Sequence, residues 1–217
     1  MSNHPLGPVV TLPPAKLPSE VTLTGRTVAL TKLNASHAAQ LVPLIGGDDE
    51  RIAALWDYMP DGPFNDLTTF QEAITAKSKS SDPFYFANLS IEIGNVLFSP
   101  TLQRTTVATE AFYLVLKYAI EELGFRRIEW KCNALNAPSR RAALRLGFTF
   151  EGIFRQHMVI KGRNRDTAWF SMLRDEWEGG IKDAMEAWLQ ESNFDGSGRQ
   201  KKRLEELRME RQSITQN

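Results

Sequence analysis

The feature that most constrains the fold of this 217-residue chain is one amphipathic run from Thr106 to Leu123. Its apolar positions are Val107, Ala111, Phe112, Val115, Leu116, Ala119, Ile120 and Leu123. They return at spacings of three and four, the period of one helix face, and Gly124 follows as a stop. The polar segment SPTLQRT at 99–105 comes first, after residues typical of a strand. The sequence therefore predicts a strand, a polar turn and a long helix with one face in a core.

Apolar spacing elsewhere predicts further strands and helices around this unit. In chain order, the predicted elements are a strand or hairpin over 21–33, a helix between Asn34 and Gly46, helices over 48–58 and 67–77, strand material over 83–97, the helix over 106–123, a strand over 126–132, a helix over 136–146, and two strands within 155–173 joined by a turn at 161–166.

The two ends of the chain differ in composition from the middle. Residues 1–20 carry repeated prolines, which exclude a regular helix and favour an extended arm along the surface. Residues 21–178 form the predicted folded domain. In the tail, 179–217, Ile181, Ala184, Met185 and Trp188 suggest a docking helix, whereas the charged run after Arg199 suggests a solvated helix or disorder.

Composition and charge exclude several classes of function. The 26 Lys and Arg residues balance the 26 Asp and Glu residues, so no overall field favours nucleic acid or an anionic membrane. No apolar run is long enough to span a bilayer, and the first residues do not resemble a secretory signal. The single cysteine, Cys132, excludes an internal disulfide, and the three histidines have no metal-ligand spacing. We expect a cytoplasmic protein without a metal site.

The turn before the long helix is a candidate anion site. The first N–H groups of a helix have no partner within the helix and carry partial positive charge, so they bind phosphate. Gln103, Arg104 and the neighbouring threonine hydroxyls would add donors. The alternative is that Thr105 or Thr106 only caps the helix and Arg104 is a solvated cation.

Two separated motifs give the chain a resemblance to a known family. SPTLQRTTVATEA at 99–111, followed one helix and one strand later by NAPSRRAALRLGFTFEG at 136–152, resembles the GCN5-related N-acetyltransferase superfamily. The branch it resembles contains ribosomal-protein N-terminal acetyltransferases and their small-molecule relatives, and the likeness covers about residues 23–177. The resemblance implies an α+β fold of three layers, with a mixed, mostly antiparallel central sheet flanked by helices, and acetyl-CoA as co-substrate.

The resemblance also implies where acetyl-CoA binds. The family uses an Arg/Gln-x-x-Gly-x-Gly/Ala turn, in which Thr106 stands here in place of the expected glycine. Pantetheine is expected to pair with the backbone of Val96, Leu97 and Phe98. Asn136 is expected to face the cofactor arm, to cap the following helix, or to do both. The residues that match the turn are Gln103, Arg104, Thr105, Thr106, Val107 and Ala108.

Acetyl transfer to an amine needs a proton acceptor and a proton donor. Many members place a tyrosine seven residues after the asparagine, but this chain has Ala143 there. In the branch it resembles, a serine at the position of Ser139 is the usual candidate for the acid, and we assign Ser139 that role; the alternative is an ordinary serine in the first helical turn. We expect Glu92 to be the base, because its strand neighbours face the other side of the sheet, although an exposed strand glutamate would give the same pattern.

The segment before the cofactor turn is shorter than the family pattern. Only 87–90 separates the strand-like residues 84–86 from 91–93, where members have room for a further strand. Either the two segments fuse or they make a tight turn, so we expect a shortened N-terminal half of the sheet. Apolar surface exposed by this shortening would need cover from the arm or from a second copy in a homodimer.

Two functions remain open at this point. The first is an N-acetyltransferase that acts on the primary amine of a small molecule, with a protein N-terminus as the other acceptor class. The second is a catalytically silent acyl-CoA-binding or interaction protein. An apolar cluster could line the mouth of a small-molecule pocket or simply pack in the core. Its members are Trp56, Tyr58, Met59, Phe64 and Phe70.

Overall fold

The computed structural model describes residues 13–79 and 90–215. The strands are β1 (Leu23–Thr24), β2 (Ala29–Leu30), β3 (Ser90–Glu92), β4 (Arg127–Asn133), β5 (Thr149–Ile160) and β6 (Arg163–Leu173). The helices are α1 (Ala38–Ile45), α2 (Glu50–Ala53), α3 (Leu67–Lys79), α4 (Thr106–Lys117), α5 (Ala137–Leu146), α6 (Arg174–Glu176), α7 (Lys182–Leu189) and α8 (Leu204–Thr215).

The described residues form a mixed sheet in the order β3-β4-β6-β5 and a separate β1-β2 hairpin. Strand β3 runs parallel to β4, and the other pairs in the sheet are antiparallel. The predicted α+β class with a mostly antiparallel sheet is therefore confirmed. Alternate residues of β4 and β6 face the main core, among them Ile128, Phe170 and Met172, each 1% exposed or less.

The predicted long helix is present as α4 and continues as a π-helical turn over Tyr118–Glu122. Leu116 and Ile120 are fully buried. Glu110 projects from α4 towards the β1-β2 hairpin, where its carboxylate accepts hydrogen bonds from the backbone N–H groups of Arg26 and Thr27 and from the Thr27 hydroxyl. This carboxylate, 6% exposed, fastens the N-terminal hairpin to the central helix.

A second, smaller core lies in the N-terminal part of the chain. It consists of Ala38, Ile45, Trp56, Phe70 and Ile74. Helix α3 confirms the helix predicted over 67–77, while the weak helix predicted over 48–58 is reduced to α2 and one 3₁₀ turn, Ala54–Trp56.

Two side-chain contacts tie this smaller core to the main sheet. The Lys161 ammonium donates to the carbonyl oxygens of Trp56 at 2.9 Å and Gly62 at 2.8 Å. The Tyr58 hydroxyl donates to the Leu135 carbonyl at 3.3 Å. The tip of the β5-β6 hairpin therefore reaches across to the N-terminal helices.

The turn predicted at 161–166 is wrong in extent. The strands are joined by Lys161 and Gly162 alone, whose φ angles of 49° and 71° make a tight hairpin loop. The polar residues 163–166 continue β6, because the exposed end of a hairpin accepts charged side chains. Strand β5 begins at Thr149 instead of near Arg155.

The charged tail is also less solvated than predicted. Helix α7 buries Ala184, Met185 and Trp188, as the spacing indicated. The run after Arg199 contains helix α8, as one of the two alternatives had it, but Leu204 and Leu207 lie in the main core cluster, so this helix is not solvated along that face. Two leucines three residues apart, at Leu204 and Leu207, were the signal for that face.

Residues 13–20 of the predicted arm run without regular secondary structure, and the Lys16 N–H donates to the Leu123 carbonyl at 2.6 Å. The predicted strand 84–86 and the segment 87–89 lie outside the described residues, so the shortening of the sheet stays a prediction. Within the described ranges, no helix is long and apolar enough to cross a bilayer.

We expect Glu110→Gln to lower the free energy of unfolding by about 2 kcal/mol at neutral pH, because three donors lose a charged acceptor. Burial alone raises the pKa of this carboxyl, but the hydrogen bonds from Thr27 and Arg26 outweigh burial and hold the pKa below its usual 4.5. A carboxyl group whose pKa is lower in the folded state stabilises the protein at pH values above its unfolded-state pKa. This stabilisation is lost as the pH falls through the folded-state pKa. Urea unfolding at pH 7 and about pH 3.5 measures this difference.

Glu122→Gln is the matched control, because Glu122 is an exposed glutamate in the π-helical turn that follows α4. The difference in the free energy of unfolding between the parent and Glu110→Gln should become smaller at the lower pH. The control should have the same free energy of unfolding as the parent at both pH values. A loss that is the same at both pH values would contradict the role given to the Glu110 charge.

Candidate active site

The sheet opens where β3 ends. Backbone pairing joins β3 to β4 as far as Ile93, whose N–H donates to the Glu129 carbonyl at 2.9 Å. Beyond it, no backbone hydrogen bond joins 94–98 to β4 among the described residues. A cleft of about 2020 Å³ lies along this opening. Both core-facing Trp130 and oppositely facing Lys131 line it, so the cleft passes through the sheet from one face to the other.

One end of the cleft is the turn that begins α4. The Ser99 carbonyl accepts hydrogen bonds from Leu102 at 3.0 Å and Gln103 at 3.1 Å. The Thr105 hydroxyl donates to the Leu102 carbonyl at 2.7 Å and accepts from the Ala108 N–H at 3.1 Å. Thr105 is therefore the helix cap, as the alternative reading proposed. The N–H groups of Thr106 and Val107 lack an acceptor within the helix and stay available to an anion.

The structure brings most of the predicted cofactor residues to this cleft. Gln103 lies there, but its side-chain amide donates to the Phe98 carbonyl at 3.0 Å. Arg104 adopts a φ of 62°, a left-handed conformation uncommon for this residue type. Val107 is not among the residues that line the cleft. Those that do are Val96, Leu97, Phe98, Gln103, Arg104, Thr105, Thr106, Ala108 and Asn136.

Four further arginines line this cleft, and sequence reasoning did not identify them; one of the four, Arg165, comes from β6. Arg141 and Arg145 come from α5, and Arg199 comes from the segment between α7 and α8. The Arg145 guanidinium donates to the Thr109 hydroxyl at 3.1 Å and lies 4.9 Å from the centre of the Trp188 ring. The spacing of four between Arg141 and Arg145 was a signal for one basic helix face, but only the fold brings that face to α4.

Burial lowers the pKa of Arg145. A partly desolvated guanidinium stays charged at neutral pH but has less water around it, so an anion beside it is stabilised more strongly than at the surface. Arg145 has no carboxylate among its described hydrogen-bond partners. The end of the cleft at α4 is therefore a cationic site with spare donors.

Ser139 lies on the core-facing side of the opening. Its Oγ accepts a hydrogen bond from the Trp130 indole at 3.0 Å, and its N–H donates to Asn136 Oδ1 at 3.0 Å. Asn136 thus caps α5 and also lines the cleft, and its expected contact with the cofactor arm stays a prediction. Because the indole uses the serine oxygen as acceptor, the serine proton is left to donate elsewhere. The Ser139 hydroxyl also acts on the Cys132 thiol, where it opposes the effect of burial on the thiol pKa.

Glu92 lies on the opposite face of the sheet, where register places it beside Glu129. The Lys131 ammonium is 3.1 Å from Glu92 Oε2 and 3.0 Å from Glu129 Oε2, and it lies 4.2 Å from the Trp169 ring centre. Glu92 is exposed, as its alternative reading had it, and its carboxylate is already ion-paired. Sequence reasoning missed Lys131, whose alternation with Glu129 along β4 was the available signal.

The ionisation states of Glu129 and Lys131, beside Glu92, are set by the oppositely charged side chains around them. Burial alone raises the pKa of Glu129, but Arg127 and Lys131 outweigh it and lower that pKa. Burial alone lowers the pKa of Lys131, but Glu129 and Glu92 outweigh it and raise that pKa. Lys131 therefore remains an ammonium ion at neutral pH.

The apolar cluster suggested for a pocket mouth divides into two sets. Tyr58 and Met59 line the cleft, whereas Trp56, Phe64 and Phe70 pack in the smaller core. Among residues 13–79 and 90–215, no group of three His, Cys, Asp or Glu side chains is arranged to hold a metal ion.

Several known proteins are similar to this chain in sequence and fold. Residues 76–149 match the family described as "Acetyltransferase (GNAT) domain". A GCN5-related N-acetyltransferase from Brucella melitensis is 41% identical, with a TM-score of 0.86 and a match covering 90% of this chain and 97% of that one. A protein described as a GNAT-family acetyltransferase from Chromobacterium violaceum is 38% identical, with a TM-score of 0.72 and coverage of 82% and 99%.

A curated relative in Bacillus subtilis, named as the ribosomal N-acetyltransferase YdaF, matches over a shorter segment. It is 34% identical over 73 residues, which are 34% of this chain and 40% of that protein. The match therefore spans less than half of that relative.

The lone cysteine gives a test of this geometry. Burial raises the pKa of the Cys132 thiol, against a smaller opposite effect of the Ser139 hydroxyl, so less reactive thiolate is present at a given pH. We expect the folded chain to react with a disulfide reagent at pH 8 about 100-fold more slowly than a free thiol. Acetyl-CoA should slow the reaction further, because Cys132 lines the cleft.

The urea-unfolded chain, with the same single thiol, is the control and should react at the rate of a free thiol. Fast labelling of the folded chain, with no effect of acetyl-CoA, would contradict the placement of Cys132 in the wall of the cleft.

Proposed function

We propose that this chain, which belongs to the GCN5-related N-acetyltransferase family, transfers the acetyl group of acetyl-CoA to the primary amine of a small molecule. The observation that carries the proposal is the cleft through the sheet. It joins a cationic end at the start of α4 to an end with a carboxylate and aromatic side chains on the other face. A donor and an acceptor that arrive from opposite faces would meet at the opening between β3 and β4.

The residues of this chain suit coenzyme A. Its diphosphate would lie against the N–H group of Thr106, next to the free N–H of Val107 just outside the cleft lining, with Arg104 and Arg145 adding positive charge. The Thr106 side chain occupies space that the family pattern leaves open, and its hydroxyl would donate to a phosphate oxygen. The unpaired backbone of 94–98 would pair with the amides of pantetheine, beside Asn136. When bound, acetyl-CoA supplies the activated acetyl group.

The remaining chemistry falls to side chains at the opening. Glu92 would accept a proton from the incoming ammonium, directly or through water, so that the nitrogen lone pair is free to attack the thioester carbon. The Leu97 N–H would donate to the carbonyl oxygen as negative charge develops there. As the bond between the carbonyl carbon and sulfur breaks, Ser139 would give its proton to the departing sulfur and regain one, through water, from the new amide nitrogen, while the Trp130 indole holds the serine oxygen in place.

The walls of the acceptor end favour a small molecule over a long polypeptide. Tyr58 and Met59 lie along one side, and the Lys161 contacts to Trp56 and Gly62 hold the N-terminal helices against the hairpin. A protein N-terminus would have to enter between these elements. The Bacillus subtilis relative is named as a ribosomal N-acetyltransferase, so the test also includes peptides with a free N-terminus as acceptors.

The test is the release of free CoA from acetyl-CoA by the full chain, measured by chromatography so that Cys132 does not contribute. Parallel reactions contain a panel of small primary amines, or short peptides with a free N-terminus. Release above the protein-free rate with small amines supports the proposal. Release with peptides alone would change the acceptor class, and acetyl-CoA protection against heat without any release would identify a silent binder.

We expect Ser139→Ala to lower kcat by about 100-fold, because the proton donor is lost, and to change KM for acetyl-CoA little. Ser139→Thr keeps a hydroxyl and should recover part of kcat, which separates a chemical role from packing against Trp130. Ser36→Ala, at an exposed serine in the N-terminal part, is the control. Turnover by Ser139→Ala at the parent rate would remove Ser139 from the mechanism.

A further inference from the structure

The acceptor face of the sheet contains a ladder of paired charges. Arg127 binds both carboxylate oxygens of Glu151, at 2.7 and 2.6 Å, and also lies 3.0 Å from Glu129. Lys131 is held between Glu129 and Glu92. The Arg127 pair and Ser171 hold the pKa of Glu151 at about 2, against burial, so this carboxylate stays charged. Each of these cations therefore has its carboxylate within the protein.

Arg165 on β6 departs from this pattern. It lines the cleft and is half-buried, yet in the described part of the chain its one hydrogen bond is from Nε to the Thr167 hydroxyl at 3.2 Å. No carboxylate among those residues lies within ion-pair distance of it. The outer guanidinium nitrogens are thus spare donors at the acceptor end.

The position of this guanidinium is set from behind. Thr167 is 1% exposed, and its Oγ1 also lies 3.0 Å from His157 Nδ1. The Thr167 hydroxyl therefore lies between the His157 Nδ1 and the Arg165 Nε, and it fixes the Nε side of the guanidinium. An arginine whose Nε is already anchored loses less freedom when its outer nitrogens bind a ligand.

The surroundings of Arg165 would strengthen such a contact. Met158 lies directly opposite it in the β5-β6 register, and Ile160 and Trp169 line the same cleft. These apolar neighbours reduce the amount of water around the guanidinium, so attraction to an anion is stronger there than on an open surface.

We infer that the acceptor is an amine that carries a carboxylate on the same small molecule, and that Arg165 binds this carboxylate. A planar guanidinium with parallel N–H groups matches the two oxygens of a carboxylate. The amine would then point towards Glu92 at the opening, while an apolar body would lie against Trp169 and Met158. The inference rests on the proposed function and names its substrate class.

The test uses matched amines that differ only in the carboxylate. Phenylalanine is compared with phenylethylamine, and aminohexanoate with hexylamine, by CoA release from acetyl-CoA. For the parent, kcat/KM should favour the carboxylated member of at least one pair by about tenfold or more. In Arg165→Met that ratio should fall to near one, and Arg165→Lys should retain part of it, because charge remains but the planar fork is lost.

Arg163→Met is the control, since Arg163 is exposed on the same strand and does not line the cleft. It should keep the parent ratio, and thermal melts should show that all variants are folded. A parent that uses both members of each pair equally would overturn the inference and leave acetyl transfer intact. A ratio that survives in Arg165→Met would overturn it as well.

Failure of every amine to release CoA would contradict the proposed function. Calorimetric binding of the same pairs to the chain with CoA present tests the inference separately. Tighter binding of the carboxylated member, lost in Arg165→Met, would uphold the carboxylate site. Equal binding, or no binding, of the two members would overturn it.

Discussion

The separation of β3 from β4 beyond Ile93 is the constraint on which the rest of the molecule depends. Backbone N–H and C=O groups that leave a sheet must find other partners, because a buried unpaired group costs free energy. Over 94–98 those groups border an open cleft instead of a neighbouring strand. An extended ligand with its own amides can take the place of the missing partner, and the same opening connects the two faces of the sheet.

Local sequence patterns were sufficient for most helices. The spacing of apolar residues predicted α4 and α7. Asn136 as the N-terminal cap and Gly147 as the stop marked the two ends of α5. These signals act within one element, since a helix face repeats every three or four residues and a cap acts over one turn. The β5-β6 loop was harder, because charged residues 163–166 look like a turn until the exposed hairpin end is known.

The candidate site was predictable only in part. The turn from Gln103 to Ala108 could be placed because helix N-termini bind anions wherever they occur. The Glu92–Lys131 ion pair and the contact of Arg145 with Thr109 join residues 36 or more positions apart, and no local pattern encodes such contacts. Ser139 was found through a motif, while its indole partner Trp130 is visible only once β4 and α5 are packed together.

The cationic end of the cleft has a consequence for how the protein is made. Arg104 comes from the middle of the chain, Arg145 from α5, and Arg199 from a segment that follows α7. Helix α8, which comes later still, packs Leu204 into the main core. A nascent chain on the ribosome therefore lacks this basic surface until the residues through α8 have emerged, so a nucleotide ligand would not assist the folding of a shorter nascent chain.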